Sequence, residues 1–588
     1  MRNVLGLCVV FASACLGPPP DASPVPLSTH VTDWRDEVIY QVLVDRFSNG
    51  DVNNDFGVLP GHLSRYQGGD WRGLTQKLGY LEQLGVTTLW ISPVVKNVET
   101  DADFDAYHGY WAQDLDEANP HFGDVSELRA LVKAAHARGM KVVLDIVTNH
   151  MGQVFFYDQN LNGTPDVYIG GSGSTSAVLR SSEFDPDFDS RGVQVFTSLG
   201  VAGQAPIVFF DQPQIARQRP HPEILGSARA YHGLGRTLDY EDPKQLLEGD
   251  FPGGLKDVAT ELPEVREAMV DSYARWAELV DLDGFRIDTV KHVEHEFWQV
   301  FAGQVRTRLA AQGKERFLMF GEAFDGRDEL LGSFTRPGEL DSVFYFSQHF
   351  AVFRDVFQFA HDATKQRGTR QIESLWAQRS VNWSNVPQPG GTGIAPSKLP
   401  VNFLDNHDVA RFLFGAHQDV AALRNALTLL MTEEGLPCLY YGTEQDFDGG
   451  NDPANREVMW KSGFDTGSAT FVHVAKLTAL RKQFAALRRG DTKVVFSTDH
   501  TLDEVDAGLF AFERAGEGAY ALVVQNTNGR HESETVLTTT QPSGAVLIDV
   551  LGADRQRFVV GAQGQLSVKV ASQSSLILVP AADVLFGP

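Results

Sequence analysis

Polar side chains that can perform acid–base chemistry follow four apolar stretches of this sequence. They are Asp145, Asn149 and His150 in KVVLDIVTNH, Arg286 and Asp288 in GFRID, Glu322 in MFGEAF, and His407 and Asp408 in VNFLDNHD. Arg286 and Asp288 lie two residues apart on a predicted strand, so both point to one side, where the guanidinium favours an ionised carboxylate. Glycoside hydrolysis requires one carboxylate as nucleophile or base and one protonated carboxyl as acid. Three carboxyl groups at three strand ends predict that chemistry.

Helical and strand patterns alternate through the middle of the chain. Leu74, Leu78, Leu81 and Leu84 recur at helical spacing and end at Gly85, after which a strand-like run begins. The same scheme returns near residues 125–139 and 265–279. Eight nearly continuous apolar runs are typical of parallel strands: EVIYQVLVDRF, VTTLWISPV, KVVLDIV, DGFRID, FLMFGEAF, DSVFYFS, LPVNFLDNHD and LPCLYYGTEQ. They predict an α/β fold, a (β/α)8 TIM barrel whose carboxyl strand ends form the site.

Composition predicts three folded parts. Residues 151–255 are rich in Gly, Ser, Asp and Pro without a sustained helical stripe, so they form an inserted lobe after the third strand. Residues 33–150 and 256–490 form the catalytic barrel. Short β runs after residue 490 predict a C-terminal all-β sandwich domain over residues 491–588, with no further module after it.

Charge and cysteine content narrow the function classes. Acidic residues outnumber basic residues by 76 to 50, which gives a formal net charge of −26. Because phosphate binding needs a basic surface, nucleic acid is excluded as a partner. Three cysteines provide no disulfide framework, and Cys438 is expected to be an inert buried thiol. The negative charge fits a neutral or cationic substrate, and we expect a monomer.

The N-terminus has the pattern of an export signal. Arg2 precedes an apolar run from Val4 that ends in Ala12-Ser13-Ala14, so residues 1–14 are predicted to be a signal peptide. Cys15 follows, at the start of a Pro-rich tether over residues 15–32, and resembles the lipidated first residue of a bacterial lipoprotein. Plain secretion is the alternative. We therefore expect an exported protein, secreted or lipid-anchored at the bacterial cell envelope, with membrane contact only through Cys15.

Several motifs together resemble one enzyme family. GFRIDTVKH, GEAF, FLDNHD and DIVTNH resemble the four short motifs of the α-amylase family of retaining glycoside hydrolases. The resemblance extends to QGGDW (67–71), YHGYW (107–111), YYGTEQ (440–445) and NDPANR (451–456), and it covers residues 35–490 in family order.

This resemblance implies roles for individual residues. Asp288 would be the nucleophile, Glu322 the general acid and then base, and Asp408 the third carboxylate. Glu322 should have a raised pKa beside two other carboxylates. Eight side chains would contact or orient the glucan: Arg286 at the nucleophile, Tyr110, His150 and His407 at the cleaved sugar, Lys291 and Phe324 on the acceptor side, and Asp452 and Arg456 on the donor side.

The resemblance also implies bound calcium, although Asn/Asp/Gly runs equally form turns. The first predicted set contains Asn49, Asp51, Asn54, Asp55, Asp70 and the Gly68 carbonyl. The second contains Asn149, Asp257 and the His292 carbonyl. A third candidate is the run Asp158–Asp166, although Ile169 stands where an EF-hand has its acidic twelfth residue.

Cyclodextrin glucanotransferases and their bacterial α-amylase relatives are the nearest resemblance. Those transferases carry a bulky aromatic residue four positions before the calcium Asp, where this chain has Gly253, and they have additional C-terminal domains. We therefore expect hydrolysis of α-1,4-glucosidic bonds in starch-type glucans, with some transglycosylation. The alternatives are a glucanotransferase or cyclodextrin-degrading enzyme, a sucrose- or trehalose-acting isomerase, and a non-catalytic glycan-binding surface lipoprotein.

Overall fold

Eight parallel strands form the centre of the fold in the part of the chain that the structure describes. This computed structural model describes residues 23–101, 103–157, 168–169, 178–179, 207–212, 216–251 and 254–584. The strands are β1 (Ile39–Val42), β2 (Thr88–Ile91), β3 (Lys141–Ile146), β4 (Gly284–Ile287), β5 (Leu318–Gly321), β6 (Ser342–Val343), β7 (Val401–Phe403) and β8 (Leu436–Tyr440). Their order is β6-β5-β4-β3-β2-β1-β8-β7, and a parallel bridge between Phe344 and Val401 joins the edge strands. The predicted (β/α)8 barrel is confirmed.

Helices cover the outside of this barrel. The longer ones are α1 (Leu78–Leu84), α2 (Val125–His136), α3 (Pro263–Val280), α4 (His295–Ala310), α5 (Arg370–Asn382), α6 (Val420–Thr432) and α7 (Ala469–Gln483), and a π-helical segment spans His349–Gln358. Asp124 starts α2 with a capping box that includes Glu127, and the buried face of α2 carries Leu128, Leu131 and Val132. The helical stripes seen in the sequence are therefore the faces that pack on the strands.

One short ladder lies where the inserted lobe joins the barrel, and a second lies within the lobe. His150–Met151 pairs with Lys256–Asp257, and Phe155–Tyr157 pairs with Ile207–Phe209. Asp250 links the lobe internally, because its Oδ2 accepts hydrogen bonds from Tyr157 Oη (2.7 Å) and Lys256 Nζ (3.0 Å). Four predictions fall outside the described residues: the signal peptide 1–14, Cys15, the third calcium run Asp158–Asp166, and Gly253.

The C-terminal domain is all β. Its strands are β9 (Asp491–Phe496), β10 (Leu509–Gly516), β11 (Ala519–Asn526), β12 (Ser533–Thr538), β13 (Val546–Asp549), β14 (Arg557–Val559), β15 (Gln565–Val570) and β16 (Ser574–Pro580). The antiparallel order β9-β10-β11-β16-β13-β14 forms one layer, and β12 with β15 forms another. Alternation along β10 sends Leu509 and Ala511 into the core of this domain, whereas Phe510 and Phe512 join the barrel core.

The segment 23–32, which we call the N-terminal strap, lies against the amino-terminal end of the barrel. The backbone N–H of Val25 donates to Glu278 O (2.9 Å), and Thr29 Oγ1 donates to Gly313 O (3.1 Å). Immediately after the strap, Trp34 is fully buried and its Nε1 donates to Arg316 O (2.8 Å). The described part of the predicted tether is therefore in contact with the barrel. No helix within the described ranges has both the length and the apolar composition required to cross a bilayer.

Replacement of Trp376 on α5 tests the contact between the barrel and the C-terminal domain. Its ring lies 5.4 Å from Phe510 and 5.3 Å from Phe512, and its Nε1 donates to Gln348 Oε1 (2.8 Å). Trp376→Ala should lower the free energy of unfolding by about 3–5 kcal/mol, because it leaves a cavity in a shared core. Val381→Ala on the exposed face of the same helix should change it by less than about 0.5 kcal/mol. Denaturation followed by circular dichroism measures both, and equal effects would contradict the shared core.

Candidate active site

A cleft of about 360 Å³ opens at the carboxyl ends of the barrel strands. Asp288 beyond β4, Glu322 beyond β5 and Asp408 beyond β7 all line it. Seven of the eight predicted glucan-contacting residues line the same cleft: Tyr110, His150, Lys291, Phe324, His407, Asp452 and Arg456. Arg286, the eighth, lies fully buried beneath the cleft. The structure therefore brings all the predicted catalytic and glucan-contacting residues to one place.

Strand register places the charges beneath the cleft. Arg286 on β4 is the register partner of Asp145 on β3, so their side chains emerge together at the strand ends. Arg286 NH1 donates to Asp145 Oδ1 and to Asp288 Oδ1, at 2.8 Å each, and NH2 lies 3.7 Å from Glu322 Oε2. One guanidinium therefore holds the predicted nucleophile and lies beside the predicted acid.

Asp145 is a functional residue to which the sequence analysis assigned no role. Its Oδ2 accepts hydrogen bonds from Tyr110 Oη (2.7 Å) and Trp90 Nε1 (3.0 Å), while its Oδ1 binds Arg286. Burial raises the pKa of Asp145 to about 7, and the Arg286 guanidinium opposes that rise. Asp145 thus fixes Tyr110 and Arg286 relative to each other. Its position at the end of an apolar strand was the available signal.

Glu322 is the carboxyl group best suited to hold a proton. The pKa of Glu322 is raised to about 8, chiefly by burial and also by the negative charges of Asp288 and Asp408, while the Arg286 guanidinium acts in the opposite direction. This is the predicted direction. Glu322 Oε2 accepts the backbone N–H of Thr289 at 3.0 Å. Thr289 adopts a left-handed φ of 48°, which is strained for a β-branched residue and directs this N–H toward Glu322.

Neutral imidazoles line the wall of the cleft. Burial lowers the pKa of His108, His150 and His407. The rings of Tyr110 and His407 stack with centroids 5.1 Å apart, and Gln41 Nε2 lies 2.6 Å from His407 Nδ1. Uncharged rings that can donate or accept hydrogen bonds suit the hydroxyl groups of a neutral sugar.

Arg456 contacts the predicted third carboxylate, Asp408, as well as Asp452, with which it was predicted to bind donor-side sugars. Its NH1 contacts Asp452 Oδ1 and Tyr107 Oη, at 3.1 Å each, and its NH2 lies 3.5 Å from Asp408 Oδ1. Arg456 is also largely buried. It therefore positions Asp408, while Asp452 is the more exposed member of the pair.

Two aromatic residues, Phe324 and Phe251, also line the cleft. Phe324 is 42% exposed and packs on Phe346 at 4.7 Å, while Lys291 Nζ donates to the Phe324 carbonyl at 2.7 Å. Phe251 lines the cleft, stacked on His150 at 5.4 Å and edge-on to His292 at 5.0 Å. Phe251 was not predicted, because the resemblance places the aromatic residue two positions later, at Gly253.

The first predicted calcium set converges around a glycine. A Cβ at Gly68 would lie 2.5 Å from Asp55 Oδ1 and 2.8 Å from Asn49 Nδ2, so only glycine fits between them, at a φ of +95°. Asn49 Nδ2 lies within 2.9 Å of both Asp55 oxygens. Asn54 Oδ1 is buried without a hydrogen-bond partner in the described chain. These oxygen donors fit a calcium ion.

The two remaining members of this set also have structural roles. Asp70 caps the helix Trp71–Gln76 through Gly73 N–H (2.6 Å), and its Oδ2 accepts the N–H groups of Gly50 and Asp51. Asp51 Oδ2 pairs with Arg72 NH1 at 2.8 Å. Carboxylate oxygens have more than one lone pair, so these bonds leave both residues able to bind a cation.

The second predicted calcium set lies where the lobe joins the barrel. Asn149 and Asp257 are both buried, and Val258 N–H donates to Asn149 O (2.9 Å) across the ladder that pairs His150 with Asp257. Asp257 Oδ2 lies 2.5 Å from His232 Nδ1, and Glu261 shares the same imidazole through Nε2 at 3.2 Å. Burial raises the pKa of Asp257 to about 8, and the imidazole of His232 opposes that rise. His232 was not identified from the sequence.

Comparison with known proteins agrees with this geometry. The family model for the alpha-amylase catalytic domain matches residues 41–493. An alpha-amylase from Streptomyces lividans is 30% identical over 562 residues, which cover 89% of this chain but only 57% of that protein. The structure of an Anoxybacillus alpha-amylase has a TM-score of 0.71 at 26% identity, and the match covers 94% of this chain and 99% of that one.

A transferase structure is similar to a comparable degree. CldA, a cyclomaltodextrin glucanotransferase with three domains, has a TM-score of 0.69 at 26% identity, over 92% of this chain and 99% of that one. The matched family model covers most of the chain and includes Asp288, Glu322 and Asp408. This chain therefore belongs to the alpha-amylase family of glycoside hydrolases.

Proposed function

We propose that this enzyme hydrolyses α-1,4-glucosidic bonds in starch-type glucans by a double displacement that retains the anomeric configuration. The observation that carries the proposal is the buried Arg286, which contacts Asp288 and lies beside Glu322. The guanidinium donates a hydrogen bond to the predicted nucleophile Asp288, while burial raises the pKa of the neighbouring Glu322 to about 8, so that Glu322 holds a proton near neutral pH. The reaction requires such a protonated carboxyl beside the nucleophilic one.

The two steps follow from these roles. Asp288 attacks the anomeric carbon, the glucosidic C–O bond breaks, and Glu322 transfers its proton to the leaving oxygen. The Glu322 carboxylate then takes a proton from water, and the water oxygen displaces Asp288 from the sugar. Asp408, held by Arg456 and lying 3.1 Å from His407 Nε2, would bind sugar hydroxyls and stabilise the cationic transition state.

A glucanotransferase or cyclodextrin-degrading enzyme is the second candidate. CldA has three domains, so the predicted absence of additional domains does not argue against a transferase. Phe251 also places an aromatic ring in the cleft two residues from Gly253. A non-catalytic glycan-binding protein is disfavoured, because binding alone does not require two buried carboxyl groups, Asp288 and Glu322, in one cleft.

Calcium is the proposed cofactor. The first set would hold one ion through Asn49, Asn54, Asp55 and the Gly68 carbonyl, with Asp51 and Asp70 completing it. The second would hold another through Asn149, Asp257 and the His292 carbonyl. Bound calcium would stabilise the loops that support the cleft and take no direct part in bond cleavage. Export, as a secreted protein or one lipidated on Cys15, is also proposed, on the sequence alone.

Product analysis tests the proposed reaction. The enzyme should release linear maltooligosaccharides from soluble starch, and proton NMR at early times should show the α-anomer of the new reducing end. Asp288→Asn should reduce turnover by about 10³-fold or more, as expected for loss of a nucleophile. Asp271→Asn, on the exposed face of α3, is the matched control. β-anomeric products would rule out retention. Cyclic products, or faster opening of β-cyclodextrin than of starch, would indicate the second candidate.

The pH dependence of the melting temperature of Glu322→Gln tests the raised pKa of Glu322. In the wild type, the stability contributed by protonated Glu322 is fully present below the unfolded pKa near 4.5 and is lost as pH rises through about 8. The neutral amide of the variant cannot ionise, so its melting temperature should exceed that of the wild type increasingly between pH 5 and pH 9. Glu504→Gln, at an exposed site, should show no such trend. Parallel pH profiles for Glu322→Gln and wild type would contradict the assignment.

Chelation tests the calcium proposal. EDTA should lower the melting temperature, and added Ca²⁺ should restore it, because a ligand that binds only the folded state stabilises it by mass action. Asp55→Ala should reduce this response, whereas Asp503→Ala in the C-terminal domain, whose side chain is 84% exposed, should preserve it. An unchanged melting temperature with EDTA would argue against both sites.

A further inference from the structure

Two histidines and two aspartates meet at the amino-terminal end of the barrel, away from the cleft. His30 comes from the N-terminal strap, His136 from the last turn of α2, and Asp281 and Asp283 from the segment between α3 and β4. His30 Nε2 lies 2.8 Å from Asp281 Oδ2, and His136 Nε2 lies 2.8 Å from Asp283 Oδ2. The two imidazole rings stack with centroids 3.6 Å apart. No step of the proposed reaction uses this cluster.

Three of these side chains lie close enough together to share one cation. Zn²⁺ bonds to imidazole nitrogen at about 2.0–2.1 Å, so ligand atoms in a tetrahedral shell are about 3.4 Å apart. His30, His136 and Asp283 each have one ligand atom within 4.8 Å of the other two. Asp281 lies outside this set, because it faces the other nitrogen of His136, Nδ1, at 3.7 Å. Small side-chain rotations would bring the three donors to bonding distance.

Outer contacts hold the two carboxylates in place. Lys314 Nζ lies 2.7 Å from Asp281 Oδ1 and 3.0 Å from Asp283 Oδ1, so it occupies the oxygens that face away from the histidines. Val142 N–H donates to Asp283 Oδ2 at 2.9 Å. Metal ligands are commonly oriented by outer hydrogen bonds of this kind.

Charge and access also suit a cation. Two carboxylates and one lysine leave one net negative charge when both imidazoles are neutral, and a divalent ion would compensate it. Lys314 and Asp283 are almost fully buried, whereas the His30 side chain is 28% exposed, so the cluster is open to solvent on the strap side. The mixture of imidazole and carboxylate favours a first-row transition ion over calcium.

We propose that His30, His136 and Asp283 bind one Zn²⁺, or a similar first-row divalent cation, that fastens the N-terminal strap to the barrel. His30 lies on the strap, and the other two ligands lie on the barrel. Binding therefore joins the strap to a segment about 250 residues further along the chain. The ion is structural, and this proposal is independent of the proposed glucan hydrolysis.

Metal titration of the full, tag-free protein, saturated with Ca²⁺, tests the proposal. Co²⁺ should bind once per chain with the visible absorption of a tetrahedral complex, and Zn²⁺ should displace it and raise the melting temperature. His30→Ala and His136→Ala should each weaken binding by about 100-fold or more, since loss of outer-shell partners alone costs 10–100-fold. His361→Ala is the matched control. His361 also pairs with an aspartate, Asp419 at 2.7 Å, but it is exposed, and no second histidine of the described chain lies beside that pair.

Each other outcome overturns the proposal. No saturable Co²⁺ absorption, or equal uptake by wild type and His30→Ala, would show that these residues do not bind a cation. A lower melting temperature in His30→Ala that is the same with and without Zn²⁺ would show a hydrogen-bonded clamp without metal. Circular dichroism of each variant separates loss of the site from loss of the fold, and His30 is partly exposed, so its replacement should leave the barrel intact.

Discussion

Arg286 carries a positive charge with no exposed surface, and Asp145 and Asp288 neutralise it through bonds of 2.8 Å to the same nitrogen. Removing a guanidinium from water costs several kcal/mol unless well-oriented carboxylates bind it. Removing one of those carboxylates would leave a buried charge uncompensated. The register of β3 and β4 is what places Asp145 opposite Arg286. A shift of either strand by one residue would turn its charged side chain to the other face and separate the pair, so the barrel sheet and the site depend on each other.

Burial around Arg286 shifts the pKa values of neighbouring acids and imidazoles in opposite directions. It raises the pKa of Glu322 and Asp145, and it lowers the pKa of His108, His150 and His407. The result is a cleft with a protonated acid and neutral imidazoles near neutral pH. Such a surface suits uncharged hydroxyl-rich molecules, in agreement with the acidic overall charge, which disfavours polyanions.

The barrel and the cleft could be predicted from the sequence because each depends on local patterns. Apolar runs gave the strands, and polar residues at their ends gave Asp288, Glu322 and Asp408. Roles that arise from contacts distant in sequence could not be predicted in this way. Arg456, in the loop after β8, contacts Asp408, which follows β7. His232, within the lobe, contacts Asp257. Run 37–47 looked like one strand, yet its strand ends at Val42, and Asp45 instead accepts the N–H groups of Gln67 and Gly68.

The strap and the cleft lie at opposite ends of the barrel. Whatever is joined to the chain upstream of Val25, whether a carrier protein, a solid support or a bilayer, meets the enzyme on its amino-terminal face. The cleft opens on the other side, at the carboxyl ends of the strands. Immobilisation through the N-terminus should therefore leave access for bulky substrates unobstructed, whereas attachment through the loops that rim the cleft would block it.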